Sequence, residues 1–394
     1  MMNFPIGNDV AQWHFSMGGG DAEGFNEGAI DIFQGQGLQS LVREIIQNSS
    51  DAQLDPTQPT QVHLSHLELS GEDAEPIKSL VPWLRRAWES DPEKPGEDDD
   101  LALGRHSFYR NAIQKIEANG KIPVLAIHDF NTHGLKGPTT FSTEPGSWWK
   151  LVRSTGSSLK NNAGAAGSFG HGSKAPFAFS GARAVLYYTT FDDDSGRVER
   201  FQGKTILESM PYPDNPDAFT SRTGYFGVGH SSGAQPLTGS KVPAWIREDR
   251  QRASDASGTS VVVVLPLLDS LEDFWMKTKI AVTANFTPAV LQDRVTIHLG
   301  NGEQIHSSTI KSVFDGLDRS NLDDTAQARL ESAHTVLHGS KESREIPGMG
   351  LIDFYARTGD GVTQRKVGIA RTAGMLITRE AERLKTQFGS TEPF

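Results

Sequence analysis

The stretch "REIIQNSSDA", residues 43 to 52, decides how the chain is read. Leu38, Leu41, Val42, Ile45 and Ile46 repeat at helical spacing, which predicts a helix over about 38–54. Asp55-Pro56 ends it, because the residue before a proline resists the α conformation. Glu44, Asn48 and Asp51 follow one another at spacings of four and three. Each residue turns the helix by about 100°, so these three lie within roughly 60° of one another. They stand beside the stripe of Val42, Ile45, Ile46 and Ser49. An ordinary amphipathic helix turns its polar side to water. This polar stripe lacks lysine, and a carboxylate and an amide one turn apart suit Mg²⁺ coordination and the holding of a water for in-line attack.

Three further stretches carry chemistry. "IPVLAIHDF" (122–130) is an apolar strand ending at Asp129, followed by Asn131, Gly134 and Leu135. A buried carboxylate there can accept a hydrogen bond from an exocyclic amine such as that of adenine, and Gly134 lets backbone approach a ring. The same pattern also suits a tight turn. "GSFGHGSK" comprises Gly167, Ser168, Phe169, Gly170, His171, Gly172, Ser173 and Lys174. Its glycines expose backbone amides that can close over phosphates. No Walker spacing, GxxxxGK[ST], occurs there. Gly258-Thr259 precedes the strand "SVVVV".

Taken in order, the four stretches resemble the boxes of the GHKL ATPases, the superfamily of gyrase B subunits, large heat-shock chaperones, histidine kinases and MutL. "EIIQNSSDA" resembles the N-box with Glu44, Asn48, Asp51 and Ala52, and "DFNTHGL" the adenine box. "GSFGHGSK" resembles the glycine-rich lid, and Gly258-Thr259 the last box. The likeness covers about residues 25–265. It implies that Glu44 is the general base and that Asn48 is the Mg²⁺ ligand. Asp129 would bind the adenine amine with support from Thr259, and the lid would wrap the phosphates of ATP. The adenine box departs from the usual DxGxG: Asn131 replaces the first glycine, and an extra residue precedes Gly134.

The implied fold is α/β (α+β): a Bergerat-type two-layer sandwich, with helices on one face of a mixed, largely antiparallel sheet. Residues 1–268 are expected to form this domain, with a helical insertion around 70–120, and 269–394 a smaller, transducer-like α/β domain. Helices are expected at 77–89, 108–118 and 270–292, and strands at 60–69, 182–191, 197–207, 258–267 and 294–300. Residues 1–37 and 211–243, rich in Gly or Pro, read as irregular. Lys277, Lys279 and Arg371 are candidates for a cation reaching the γ-phosphate.

Composition bounds the function. The 394 residues carry a net charge of −11 and no cysteine, so disulfides and cysteine-ligated zinc are excluded. Such acidity does not point to a duplex-binding surface. No apolar run is long enough to span a membrane. No signal peptide is apparent, and a cytoplasmic location is expected. Histidine kinases generally lack a glutamate at the position of Glu44, which favours hydrolysis and a clamp that pairs two chains when ATP binds. The likeness to stand-alone prokaryotic members suggests a partner effector and a role in phage defence. A non-hydrolysing ATP switch is the competing class. A metal site of His128, Asp129 and His133 is a third.

Overall fold

The computed structural model describes residues 10–18, 22–25, 37–90, 100–118, 120–140, 142–144, 146–153, 172–213, 215–230, 233–320, 322–347, 350–357, 369–370 and 374–378. Strands are numbered β1 (Ala11–Met17), β2 (Thr60–Leu69), β3 (Ile122–Phe130), β4 (Ala184–Asp193), β5 (Gly196–Ile206), β6 (Pro211–Tyr212), β7 (Asn215–His230) and β8 (Gly233–Gln235). They continue as β9 (Gly258–Val264), β10 (Val295–Leu299), β11 (Gln304–Ile305), β12 (Ser340–Ile346) and β13 (Gly350–Ala356). The main helices are α1 (Gly37–Asp51), α2 (Val81–Glu89), α3 (Asp100–Glu117), α4 (Ala244–Gln251), α5 (Leu271–Leu291) and α6 (Asp324–His338).

An eleven-stranded sheet runs in the order β1-β7-β5-β4-β9-β3-β2-β10-β11, with β6 and β8 also pairing β7. It is mixed and largely antiparallel; β10 lies parallel to β2, with Val295 opposite Thr60 and Leu299 opposite Leu64. Strand alternation sends the side chains of β3 to two cores. Leu125 and Ile127 join Leu41, Ile45, Val62, Val263 and Phe274 under α1 and α5. Val124 and Ala126 join Ile77, Leu84, Tyr109, Val262 and Ile246 under α2, α3 and α4.

Helices α1 and α5 therefore cover one face, α5 having been expected in the C-terminal domain. The insertion is a layer in its own right: α2 and α3, together with α4, cover the opposite face, so the two-layer expectation becomes three layers. The sheet also runs across the expected boundary at 268, because α5 packs on α1 and β10 extends the sheet beyond β2. Helix α3 starts at Asp100, eight residues before the expected start.

Four strands, β1, β6, β7 and β8, lie where irregular chain was expected. Strand β7 is 16 residues long despite three glycines near its end. A Cβ at Gly224 would stand 2.3 Å from the Phe15 ring, and one at Gly227 would stand 2.0 Å from the carbonyl oxygen of Gln235. These glycines admit neighbours; they do not break the strand. Strand β1 pairs with β7, setting Trp13 against Phe226. Among the described residues, no helix is long and apolar enough to cross a membrane.

Candidate functional site

Asp129, the penultimate residue of β3, lies on the face that α1 covers, one residue beyond His128 on the other face. Three groups from separate parts of the chain meet on its carboxylate. The Ser49 hydroxyl lies 3.0 Å from Oδ2 and 2.9 Å from the Ile45 carbonyl, which share its one proton, while the Thr132 hydroxyl donates to Oδ1 at 2.5 Å and the Thr259 amide to Oδ1 at 2.7 Å. Thr259 can come this close because residue 258 is glycine. A Cβ at Gly258 would lie 2.1 Å from the Asp129 carbonyl oxygen. Thr189 on β4 ties the loop down further: its hydroxyl donates to the Gly258 carbonyl at 2.9 Å and accepts from the Leu135 amide at 2.8 Å. Helix α1, the end of β3 and the start of β9 thus form one hydrogen-bonded unit.

Helix α1 presents its polar stripe beside this unit. Glu44 is buried, and its Oε1 accepts from Arg43 Nη2 at 3.0 Å. Asn48, one turn on, is exposed, and its side-chain amide makes no hydrogen bond among the described residues. Asp51 is exposed and Ala52 half-buried at the helix end, where the Ala52 carbonyl accepts from the His133 amide at 2.9 Å. Of the lid stretch, Gly172, Ser173 and Lys174 form a short 3₁₀ turn packed against α1, with Lys174 buried. Gly167, Ser168, Phe169, Gly170 and His171 lie outside the described residues.

The two departures in the adenine box have physical explanations. Asn131 has a φ of 59°, left-handed backbone that asparagine tolerates better than other side chains. Its amide donates to the carbonyls of Asp55 and Gln58 at 2.9 Å, and its Oδ1 accepts from the Asp55 amide at 3.0 Å. It braces the loop after α1. Gly134, φ 65°, approaches β4: a Cβ there would lie 3.0 Å from Thr189 Oγ1 and from the Thr190 carbonyl. The expected approach of Gly134 to a ring is an approach to a strand here.

Beneath Asp129, on the far side of the sheet, lies a buried polar layer. His128 contacts Ser260 Oγ at 2.7 Å and Asp249 on α4 at 2.9 Å. Burial lowers the His128 pKa, opposed by Asp249. Arg250 stacks on Phe130 at 4.1 Å and donates to the carbonyls of Ala256 and Thr259. Burial pushes its guanidinium down to about 10, with Asp129 opposing, so it stays charged at neutral pH. Arg250 therefore fixes the segment that presents Thr259 to Asp129. The metal reading fails on this geometry. His128 and Asp129 point to opposite faces, His133 is exposed, and no metal-holding cluster occurs among the described residues.

Ser49, Thr132, Thr189 and Arg250 were not predicted as site residues. Ser49 carried a signal, a hydroxyl inside an apolar stripe; Arg250 carried none. Lys277 pairs with Asp273 at 2.6 Å and Lys279 with Glu303 at 3.0 Å, so both candidate cations are held in ion pairs. Arg371 lies outside the described residues.

No family model and no curated protein matches the chain. Among solved structures it is similar to the ATPase and transducer domains of DNA topoisomerase II from Balamuthia mandrillaris, at 12% identity and a TM-score of 0.34, covering 70% of this chain and 50% of that one. It is also similar to the ATPase region of Saccharomyces cerevisiae topoisomerase II bound to ICRF-187 (dexrazoxane), at 10% identity and TM-score 0.34, with 70% and 51% covered. A further structure of the ATPase region of Saccharomyces cerevisiae topoisomerase II aligns at 10% identity and TM-score 0.33, with 70% and 52% covered. The chain thus spans about half the length of these fragments. At such scores the functional reading rests on the residues above.

Proposed function

We propose that the chain binds ATP between α1, the sheet and the lid, and hydrolyses it with Glu44 as general base. The observation that carries this reading is the convergence of Ser49, Thr132 and Thr259 on Asp129. A carboxylate with one oxygen fully engaged and the other accepting from a single hydroxyl is pre-oriented for an exocyclic amine. The Asn48 amide is an uncommitted hard-oxygen donor, which suits Mg²⁺; that ion neutralises phosphate charge when bound. Glu44, one turn away, would accept a proton from the attacking water. The lid would exclude solvent, and its closure would pair two chains into a clamp acting on a partner effector in phage defence.

One observation favours a second reading, a nucleotide switch with little turnover: the Glu44 carboxylate is already held by Arg43. Phosphate release from Mg·ATP and nucleotide binding by calorimetry, for wild type, Glu44→Ala and Asp129→Asn, separate the two. Hydrolysis is expected in wild type, with a loss of at least about 100-fold in Glu44→Ala at unchanged affinity. Asp129→Asn is expected to weaken ATP binding about tenfold or more. Binding without turnover in both wild type and Glu44→Ala would establish the switch. Absence of binding in wild type would end both readings.

A further inference from the structure

A small cleft of about 50 Å³ lies where α1, α5 and α6 meet. Ser40 and Arg43 of α1 and Arg329 of α6 line it, against an apolar wall of Ile280, Ala281 and Ala284 on α5. The space suits a few waters or one small ion.

Two guanidinium groups share this cleft. Among the described residues each has a single side-chain partner: Arg43 uses one nitrogen on Glu44, and Arg329 uses one on Asn285. The remaining donors are uncommitted among the described residues. Burial, and next the charge of Arg43, lower the Arg329 pKa, so the two cations feel one another. Glu44 flanks Arg43. Asp323 flanks Arg329, but its carboxylate also caps α6, accepting from the Ala326 amide at 2.7 Å. Ser40 is 6% exposed, and its hydroxyl has no hydrogen-bond partner among the described residues. The hydroxyl is therefore able to donate to an occupant of the cleft.

We propose that this cleft is a binding site for a tetrahedral oxyanion of the phosphate or sulfate type, held between the forks of Arg43 and Arg329 with Ser40 donating. Planar guanidinium forks match tetrahedral oxyanions in pairs of parallel hydrogen bonds, and each such bond is charge-assisted. The wall of α5 limits water, which strengthens the attraction. The first turns of α1 and α6 both open near the cleft and add a weak positive field. The site adjoins the proposed nucleotide pocket through the Arg43–Glu44 pair but does not depend on that reading. It shares Arg43 with Glu44, so an occupant would compete with the carboxylate for that guanidinium.

Equilibrium dialysis of the full chain with radiolabelled orthophosphate tests this, without nucleotide and at constant ionic strength in chloride. The expected result is one saturable phosphate per chain, displaced by sulfate and not by added chloride. Arg329→Gln is expected to weaken it at least about tenfold, and Arg329→Lys by less, since lysine keeps the charge and loses the fork. Circular dichroism melts confirm that each variant is folded; should Arg329→Gln not fold, Arg329→Lys carries the comparison. Undiminished binding in a folded Arg329→Gln chain would place the phosphate elsewhere, the nucleotide pocket included, and overturn the proposal. So would the absence of saturable binding to the wild type.

Discussion

His63 on β2 stacks face to face with His298 on β10, ring centroids 3.9 Å apart, because the parallel register sets these residues side by side. Burial, then the neighbouring His298, His128 and Arg250, hold the His63 pKa down at about 3. An unfolded histidine titrates near 6.5. From pH 6.5 down towards 3, the unfolded chain therefore carries a proton on this ring that the folded chain refuses. Where the unfolded state binds more protons, stability falls as pH falls. Discounted for the partial exposure of the ring, the loss at pH 5 is roughly 1 kcal/mol. His63→Phe is expected to flatten the pH dependence of the urea midpoint between pH 7 and 5 by about that amount. An unchanged slope would assign it to other histidines. The residue scale is also where the sequence was most informative about the site. Asp129 and Thr259 were legible as a pair and bond directly. Ser49 was counted among apolar neighbours, because its partner lies 80 positions away in the chain.

At the scale of elements, periodicity located α1, β2, β3 and β9 closely because each buries one regular set of side chains. It missed β7, where glycine stands in for the buried side chain, and β1, whose Trp13 and Phe15 pack onto such glycines. Gly203, Gly224 and Gly227 are places where Trp13, Phe15 and the β8 backbone occupy the space a Cβ would need. The apolar signal of that sheet region therefore sits on the neighbouring strands, and a glycine-rich strand reads as loop. Adding one methyl tests this directly. Gly227→Ala forces its Cβ against the Gln235 carbonyl and must displace backbone. A loss of about 1–3 kcal/mol in urea denaturation is expected, typical of overpacking. The exposed, open Gly196 in the β4–β5 turn offers a contrast, since a Cβ there meets nothing within 4 Å and only its positive φ opposes substitution. A Gly227→Ala chain as stable as the wild type would mean that β8 does not pair with β7 as described.

For the whole molecule, the added layer is the feature that the family likeness did not supply. The likeness implied one covered face, and the sequence showed only that 55–121 was long. It did not show that α2 and α3 would lie across Val124, Ala126 and Val262. The clasp between this layer and the sheet is ionic. Arg105 on α3 donates through Nε to both carboxylate oxygens of Glu208 at 2.8 Å, and both side chains are about nine-tenths buried. Its Nη2 also reaches the Ala87 carbonyl on α2 at 2.6 Å. Such a pair need not add net stability, because two charges were desolvated to make it, yet breaking it strands the survivor in an apolar setting. Arg105→Met alone is thus expected to cost about 3–5 kcal/mol, whereas Arg105→Met with Glu208→Leu should recover most of that loss. Urea denaturation of both single variants and the double completes the cycle. If the double variant loses the sum of the two single losses, the two groups do not interact, and the layer is held by its apolar contacts alone. If the double variant recovers, the pair sets how the insertion docks, and apolar burial under α2 and α3 supplies the stability.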